Sequence, residues 1–427
     1  MRRLAPMVVI QIYLWITLGL FAFGPWQWPL RNPTGLYTFL FAAHIALLLG
    51  YLSAGHKAPS AAKWPYDVNK MVRFSLWINL LVLPITSYAR TGNWIPNIVG
   101  GLTNPGEAYG DAHMYAEGAS NGASYLRILV SPALVMLFPL GVYLWKRLTW
   151  GTRVLLVGCM LAVVAMAIAT GQRRDMADLL ITVPFIVMAA HCAGVSPLKR
   201  RTLVIGAAGS LLAIAAFAVY FTYSHVSRVG KGSADSGANP ITLQAPDVDN
   251  PMLAQLPDDL RPGMIALLNY LTTGYYGLGL SIDRDVKPMY GFGHSMFLTR
   301  TVERLTGDEN FESRSLPVQI SDKDGFKYPV HWCTAYPYFA NDLGFFGTVV
   351  MLFFVGRALA QCWIDMLGGR NPYAVVFFAL LMTLVFYLPA TNRMLQDGEG
   401  VIAFYGWLAV WLSSRLSFRR SPVPVLA

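Results

Sequence analysis

Uninterrupted apolar stretches of about twenty residues recur along this chain, and they constrain its fold more than any other feature. A helix advances about 1.5 Å per residue, so about 20 apolar residues cross a hydrocarbon core about 30 Å thick. Ten such stretches are legible, at 8–24, 35–54, 74–89, 128–145, 154–170, 178–194, 203–223, 336–364, 372–390 and 400–416. No charged residue lies between Arg3 and Arg31, or between Arg73 and Arg90. Of the 427 residues, 55% are apolar and only 13% are charged, about half the charged share of a soluble domain. That balance excludes an ordinary cytosolic enzyme, a disordered tail and a nucleic-acid-binding module. It predicts an all-α polytopic membrane protein with about ten transmembrane helices. After the first stretch no Ala-x-Ala-type cleavage site follows. Instead Pro25-Trp26-Gln27-Trp28-Pro29 reads as an aromatic interface belt, so 8–24 is expected to be a retained first helix.

The net charge of +10 is first a topology signal, because basic residues collect in cytoplasmic loops. With ten spans, both termini fall on one side. The loops on that side hold Arg2, Arg3, Lys57, Lys63, Lys70, Arg73, Lys146, Arg147, Arg153, Lys199, Arg200, Arg201, Arg370, Arg419 and Arg420, fifteen in all. The short loops opposite hold six: Arg31, Arg90, Arg127, Arg173, Arg174 and Arg393. The chain thus divides into helices 1–7 within 1–223, a long external segment at 224–335, and helices 8–10 with a cytoplasmic tail within 336–427. The long segment is not basic, with ten basic residues against thirteen acidic ones. Inside it 262–282 is apolar enough to span, yet an eleventh crossing would reverse every later loop. A re-entrant or interfacial helix is expected there, with Gly274, Gly277 and Gly279 bending it, and a spanning helix is the alternative.

Ionisable residues at membrane depth are costly, so each invites a functional reading. Arg173 and Arg174 sit between two spans in Thr170-Gly171-Gln172-Arg173-Arg174-Asp175. Guanidinium groups fork onto phosphate oxygens and a following helix N-terminus adds positive charge, so they are candidates for a phosphate or diphosphate. The alternative is that they snorkel to lipid headgroups. In the long segment Arg300 and Arg304 lie one helical turn apart after Gly291-Phe292-Gly293-His294-Ser295, and an ordinary solvated face fits Arg304 equally well. His331, just before the eighth span, is a candidate base, although most lone histidines are structural. Asp342, near the start of that span, calls for a partner such as an arginine from a neighbouring helix. Arg393 is a further basic candidate. The pairs Asp247/Asp249, Asp283/Asp285 and Asp322/Asp324 are metal-holding in some sugar transferases, but here read as solvated surface. Four scattered cysteines suggest neither disulfides nor a thiolate metal site. Motifs of zinc proteases, serine hydrolases and nucleotide-binding loops are absent from the sequence.

The segment Thr334-Ala335-Tyr336-Pro337-Tyr338-Phe339-Ala340-Asn341-Asp342-Leu343-Gly344-Phe345-Phe346-Gly347 resembles one found in oligosaccharide repeat-unit polymerases of the Wzy type. There a threonine and aromatics precede an Asp-aromatic-Gly turn and a second glycine. Thr170-Gly171-Gln172-Arg173 resembles the small-residue-then-arginine motif of those polymerases and of the related O-antigen ligases. The resemblance implies a metal-independent, inverting glycosyltransferase with a GT-C-like fold, needing no cofactor, in a bacterial inner membrane. Its active face would be periplasmic. Its donor would be an oligosaccharide on undecaprenyl diphosphate and its acceptor the non-reducing end of another lipid-linked unit. Membrane lipids and a chain-length-regulating co-polymerase are the further expected partners, with no nucleic acid. Carried over residue by residue, Arg173 matches the motif arginine and Arg300 a second arginine in the long loop. His331 stands two residues before the ligases' histidine when the 342–344 turn is aligned with theirs, which favours polymerase over ligase. A ligase acting on lipid A-core, or a transporter of lipid-linked sugars, is the alternative.

Overall fold

The computed structural model describes residues 2–55, 57–64, 66–118, 121–229, 239, 241–257, 261–328 and 330–416. Arg419 and Arg420, counted above among the cytoplasmic residues, lie outside the described residues with the rest of the tail. So does 230–238 of the long segment. All regular structure among the described residues is helical. The first helices are α1 (Ala5–Phe23), α2 (Pro33–Ala54), α3 (Val68–Thr91), α4 (Ile98–Thr103) and α5 (Pro105–Gly118). Next come α6 (Asn121–Tyr143), α7 (Trp150–Ala169), α8 (Arg174–Cys192), α9 (Arg200–Val229) and α10 (Pro251–Ala254). The chain finishes with α11 (Arg261–Ile282), α12 (Met296–Thr306), α13 (Leu316–Asp324), α14 (Ala335–Leu367), α15 (Pro372–Phe386) and α16 (Gly398–Ser414).

All ten apolar stretches are helical. Among the described residues eight helices, α1, α2, α3, α6, α7, α8, α9 and α14, are long and apolar enough to cross a membrane, the pattern of a polytopic membrane protein. The last two stretches form shorter helices. Helix α15 stops after 15 residues, where a turn at 387–390 leads through Pro389, which disfavours helix in the residue before it. Helix α16 has 17 residues and begins only at Gly398. Helix α11 has 22 residues and is not among the eight. Several helix ends follow from local sequence. Asn32 caps α2 by accepting the Gly35 amide, with Pro33 in the first turn, and Asp67 caps α3 by accepting from Asn69 and Lys70. Gly92 ends α3 in the left-handed conformation at φ 69°.

Two compact units interleave along the chain. The first comprises Met1–Gly55, Val229–Ala360 and Thr383–Val401. Within it α2 and α14 approach so closely that a Cβ on Gly50 would fall 1.8 Å from the Phe353 carbonyl, and one on Gly356 2.1 Å from that of Leu47. Small residues permit such backbone approach between membrane helices, where packing rather than water exclusion drives association. Helix α11 runs unbroken through its glycines and is packed in the same way. A Cβ on Gly274 would lie 2.5 Å from the Pro389 carbonyl, and one on Gly277 2.7 Å from the Phe326 ring. The Tyr275 hydroxyl, fully buried, meets that of Thr17 on α1 at 2.9 Å. Asp324, expected on the surface, is 2% exposed and held by Arg284 and by Arg31, the latter at 2.9 Å. The arginines make burial of that carboxylate tolerable.

The second unit comprises His56–Arg228, Gln361–Met382 and Ile402–Ala427. Helices α3 and α6 pack along each other, and Pro132 interrupts α6. Proline has no N–H for the Ile128 carbonyl, and the Ser131 hydroxyl supplies that donor at 2.8 Å. The Pro132 carbonyl in turn accepts the Trp407 indole N–H, also at 2.8 Å. Near the end of α14, Asp365 is 1% exposed and accepts from Arg415 at 2.9 Å and from the Ser60 amide at 2.7 Å. Helix α9 stands apart in its surroundings: residues 200–220 are all exposed or half-buried.

The helix crossing in the first unit is open to direct measurement. Gly356→Ala forces a Cβ against backbone and is expected to cost about 1–3 kcal/mol, the range for overpacking, read as a lower unfolding temperature in detergent. Gly19→Ala, inside α1 at a site with nothing within 4 Å, is expected to leave that temperature unchanged or raise it, since alanine is the better helix former.

Candidate active site

The sequence Asn341-Asp342-Leu343-Gly344 marks a break inside α14. Gly344 has φ 66° and ψ 171°, so the element is two helical pieces, 335–343 and 345–367. This backbone region is essentially restricted to glycine. The Gly344 carbonyl, at the start of the second piece, accepts the Thr348 hydroxyl at 2.8 Å. Asn341 and Asp342 therefore occupy the C-terminal end of the first piece, where exposed carbonyls disfavour an added negative charge.

Four N–H groups from one loop answer that charge. Asp342 Oδ1 accepts the amides of Gly291 and Gly293, each at 2.9 Å. Oδ2 accepts the His294 amide at 2.8 Å and lies 2.9 Å from His294 Nδ1. The loop turns through two left-handed residues, Tyr290 at φ 53° and Gly291 at φ 86°. Tyrosine rarely adopts that conformation, and the strain aims successive amides at one anion, as in other backbone nests. Asn341 fixes the same loop, donating from Nδ2 to the Gly293 carbonyl at 2.9 Å and accepting the Leu316 amide at 2.8 Å. Gly293 has no room for a side chain, since a Cβ would lie 2.6 Å from that of Asn341. Asp342 is 6% and His294 13% exposed at the side chain.

A carboxylate oxygen only accepts, so Nδ1 of His294 carries the proton toward Asp342, and in the neutral ring the lone pair then falls on Nε2. This oriented imidazole is the arrangement that general bases use. Around it, Asn392 donates from Nδ2 to the His294 carbonyl, and the Phe297 amide donates to the Gln396 carbonyl at 3.1 Å. The 391–397 segment is thereby tied to the histidine loop and brings Arg393 with it. Arg393 lies 3.5 Å from Asp397, whose other oxygen accepts the Gly400 amide at the start of α16. Arg300 sits one turn into α12, which Ser295 caps directly after His294, and pairs with Glu312 at 3.4 Å.

Of the residues singled out in the sequence, Asp342, Arg393 and Arg300 thus gather on elements that meet around His294. The expected arginine partner of Asp342 is replaced by three backbone amides and a histidine. Nothing in Gly-Phe-Gly-His-Ser alone marks His294 as the partner of a residue 48 positions later. His331 lies elsewhere in the first unit, half-buried, with its ring 5.7 Å from that of Phe326. Burial and the Lys327 charge hold its pKa below the ordinary 6.5, so it is neutral at pH 7. Burial also pushes the Cys333 thiol up to about 12, which leaves it protonated and a poor nucleophile. Among the described residues no three His, Cys, Asp or Glu side chains are grouped as metal ligands.

Arg173 and Arg174 belong to the second unit. Arg173 is 9% exposed, donates from Nη1 to the Phe221 carbonyl at 2.8 Å and stacks over the Phe221 ring at 4.1 Å. Arg174 is exposed and lies 3.9 Å from Asp175. Comparison with protein-family models, with curated proteins and with solved structures finds no match for this chain.

Asp342→Asn turns one acceptor into a donor facing donors. With the retained oxygen still facing Gly291 and Gly293, the new amide faces the His294 N–H groups. The buried N–H left unpaired is expected to cost about 1–3 kcal/mol, read as a lower unfolding temperature and faster hydrogen exchange at His294. His331 gives a pH signature of opposite origin. Because its folded pKa lies below 6.5, the unfolded chain protonates first, so stability is whole above that value and falls as pH drops through it. In thermal unfolding across that pH range, His331→Asn is expected to lose less stability on acidification than the wild type.

Proposed function

We propose that this chain is a Wzy-type oligosaccharide repeat-unit polymerase, joining lipid-linked units at the periplasmic face of a bacterial inner membrane. One observation carries the reading. The Asp-Leu-Gly turn that bears the sequence resemblance is also the break that lets Asp342 hold His294 as an oriented base. In the proposed reaction an acceptor sugar hydroxyl attacks the anomeric carbon of a donor glycan on undecaprenyl diphosphate. The hydroxyl proton passes to Nε2 of His294, and Asp342 stabilises the imidazolium through Nδ1. The carbon–oxygen bond to diphosphate breaks with its electron pair on the diphosphate, and the new glycosidic bond forms with inversion. Arg393 and Arg300, on the two elements tied to the histidine loop, are the cations proposed to meet the departing charge. Arg173 and Arg174 remain candidates for lipid diphosphate from the second unit. Ten crossings with both termini cytoplasmic, a GT-C-like arrangement and a chain-length-regulating co-polymerase belong to the same proposal.

A cell that makes the lipid-linked units but lacks a polymerase supplies the test. Wild type is expected to restore polymer. His294→Ala is expected to lower it by about 10²–10⁴-fold, the range for a general base, while reaching the membrane at normal level and leaving single units on lipid. Normal polymer from His294→Ala together with its loss from His331→Ala returns the role of base to His331. Glycan found on lipid A-core in single additions identifies a ligase instead.

A further inference from the structure

A second concavity lies wholly within the second unit, at the C-terminal ends of α3 and α7, where α4 and α5 roof it. Its volume is about 280 Å³, near the lower end of small-molecule sites, which run roughly 300–1,000 Å³. We infer that it is a binding pocket for a neutral saccharide and that it excludes phosphate and acidic sugars.

The lining is a dense mixture of donors and acceptors rather than a single charge. Asn97 spends its side-chain oxygen on the Gly100 amide at 2.9 Å, leaving its amide N–H groups for a ligand. Asn104 gives an N–H to Glu107 at 3.4 Å, leaving its carbonyl oxygen. Asn93 adds another amide, which gives one N–H to the Thr91 carbonyl at 3.0 Å and keeps its side-chain oxygen, while the Thr91 hydroxyl is already donated to the Ser87 carbonyl at 2.8 Å. A sugar hydroxyl both donates and accepts, so a polyol satisfies such a wall where a purely cationic or anionic ligand does not. Tyr115, also in the wall, lies under Gly92, where a Cβ would approach its ring to 2.8 Å. Gly92 thus packs against the hydroxyl end of the ring, and with Tyr115 43% exposed the rest of its face is open as a platform for the C–H side of a pyranose.

Charge excludes the other occupants. Glu107 and Asp111 lie one helical turn apart on α5 and both line the cavity. The cation in the wall, Arg90, is 3.9 Å from Asp175 and shares its charge there. A diphosphate or uronate entering would face two carboxylates, and like charges at short range in a site of reduced dielectric are costly. The pocket is thus chemically unlike the diphosphate sites proposed above, and suits the glycan portion of a lipid-linked substrate.

The choice of probe rests on the polymerase reading; the binding measurement does not. Oligosaccharides released by partial hydrolysis of the source organism's own surface polysaccharide, separated into neutral and acidic fractions, are titrated into the full-length protein in detergent. The neutral fraction is expected to bind, and its affinity to fall roughly tenfold, about one good hydrogen bond or stacking contact, in Asp111→Ala and in Tyr115→Ala. Both side chains are exposed, so folding is expected to survive, and an unchanged unfolding temperature verifies it. Inorganic diphosphate is expected neither to bind nor to compete. Glu107→Gln with Asp111→Asn is expected to admit the acidic fraction. Absence of neutral binding, equal binding in the variants, or displacement by diphosphate overturns the assignment. Polymer lost in His294→Ala without saccharide binding here refutes the pocket and leaves the polymerase reading intact. Selective binding here in a chain that makes no polymer does the reverse.

Discussion

In hydrocarbon a peptide group that leaves the helix has no water to turn to, so a break in a long apolar helix survives only where protein replaces the lost bonds. The rest of the first unit's polar architecture depends on how the break at Gly344 is answered. Thr348 bonds the Gly344 carbonyl where the second piece starts, and the carboxylate two residues before the break collects amides from a loop that has no regular structure. Each side solves the other's problem. The loop's unpaired N–H groups need an anion, and the anion at a helix C-terminus needs donors. Asn341 then stitches the loop to α13, and Asn392 stitches it to the 391–397 segment.

Buried acids show three solutions to one cost. Asp324 is neutralised by guanidinium groups, Asp365 by Arg415 with one amide from the 57–64 loop, and Asp342 by amides with an imidazole. The first two pairings are closed, since a permanently charged partner has no proton to exchange in the accessible pH range. Only the third couples a carboxylate to an imidazole, whose second ring nitrogen faces away from the carboxylate and can exchange a proton. That difference, rather than depth or proximity, separates a candidate reactive centre from two structural clamps.

The helices were legible because twenty apolar residues in a row admit few other structures, and all ten runs were found. Their lengths were less legible. Hydropathy runs on through 387–390, whereas Pro389 and the turn stop α15 after Phe386. The glycines of α11 were read as bends because sequence does not say what a bare Cα faces; they face the Pro389 carbonyl and the Phe326 ring. Asp342 was visible as a charge in an apolar span, and its need for a partner followed. The partner's identity did not, because backbone amides carry no signature in the sequence and His294 is 48 residues away. Asp324 looked like one of several exposed acidic pairs, and only the fold brings Arg31 and Arg284 to it.

The conformation at Gly344 has a genetic corollary. Every amino acid one base change away from a glycine codon, Ala, Val, Ser, Cys, Asp, Glu, Arg and Trp, carries a Cβ, and none of them occupies φ 66°, ψ 171° without strain. No single mutational step at this position offers a conservative replacement, however mild its side chain. The break in α14 can therefore be lost in one step, but a substitute for it has to be built elsewhere in the chain first.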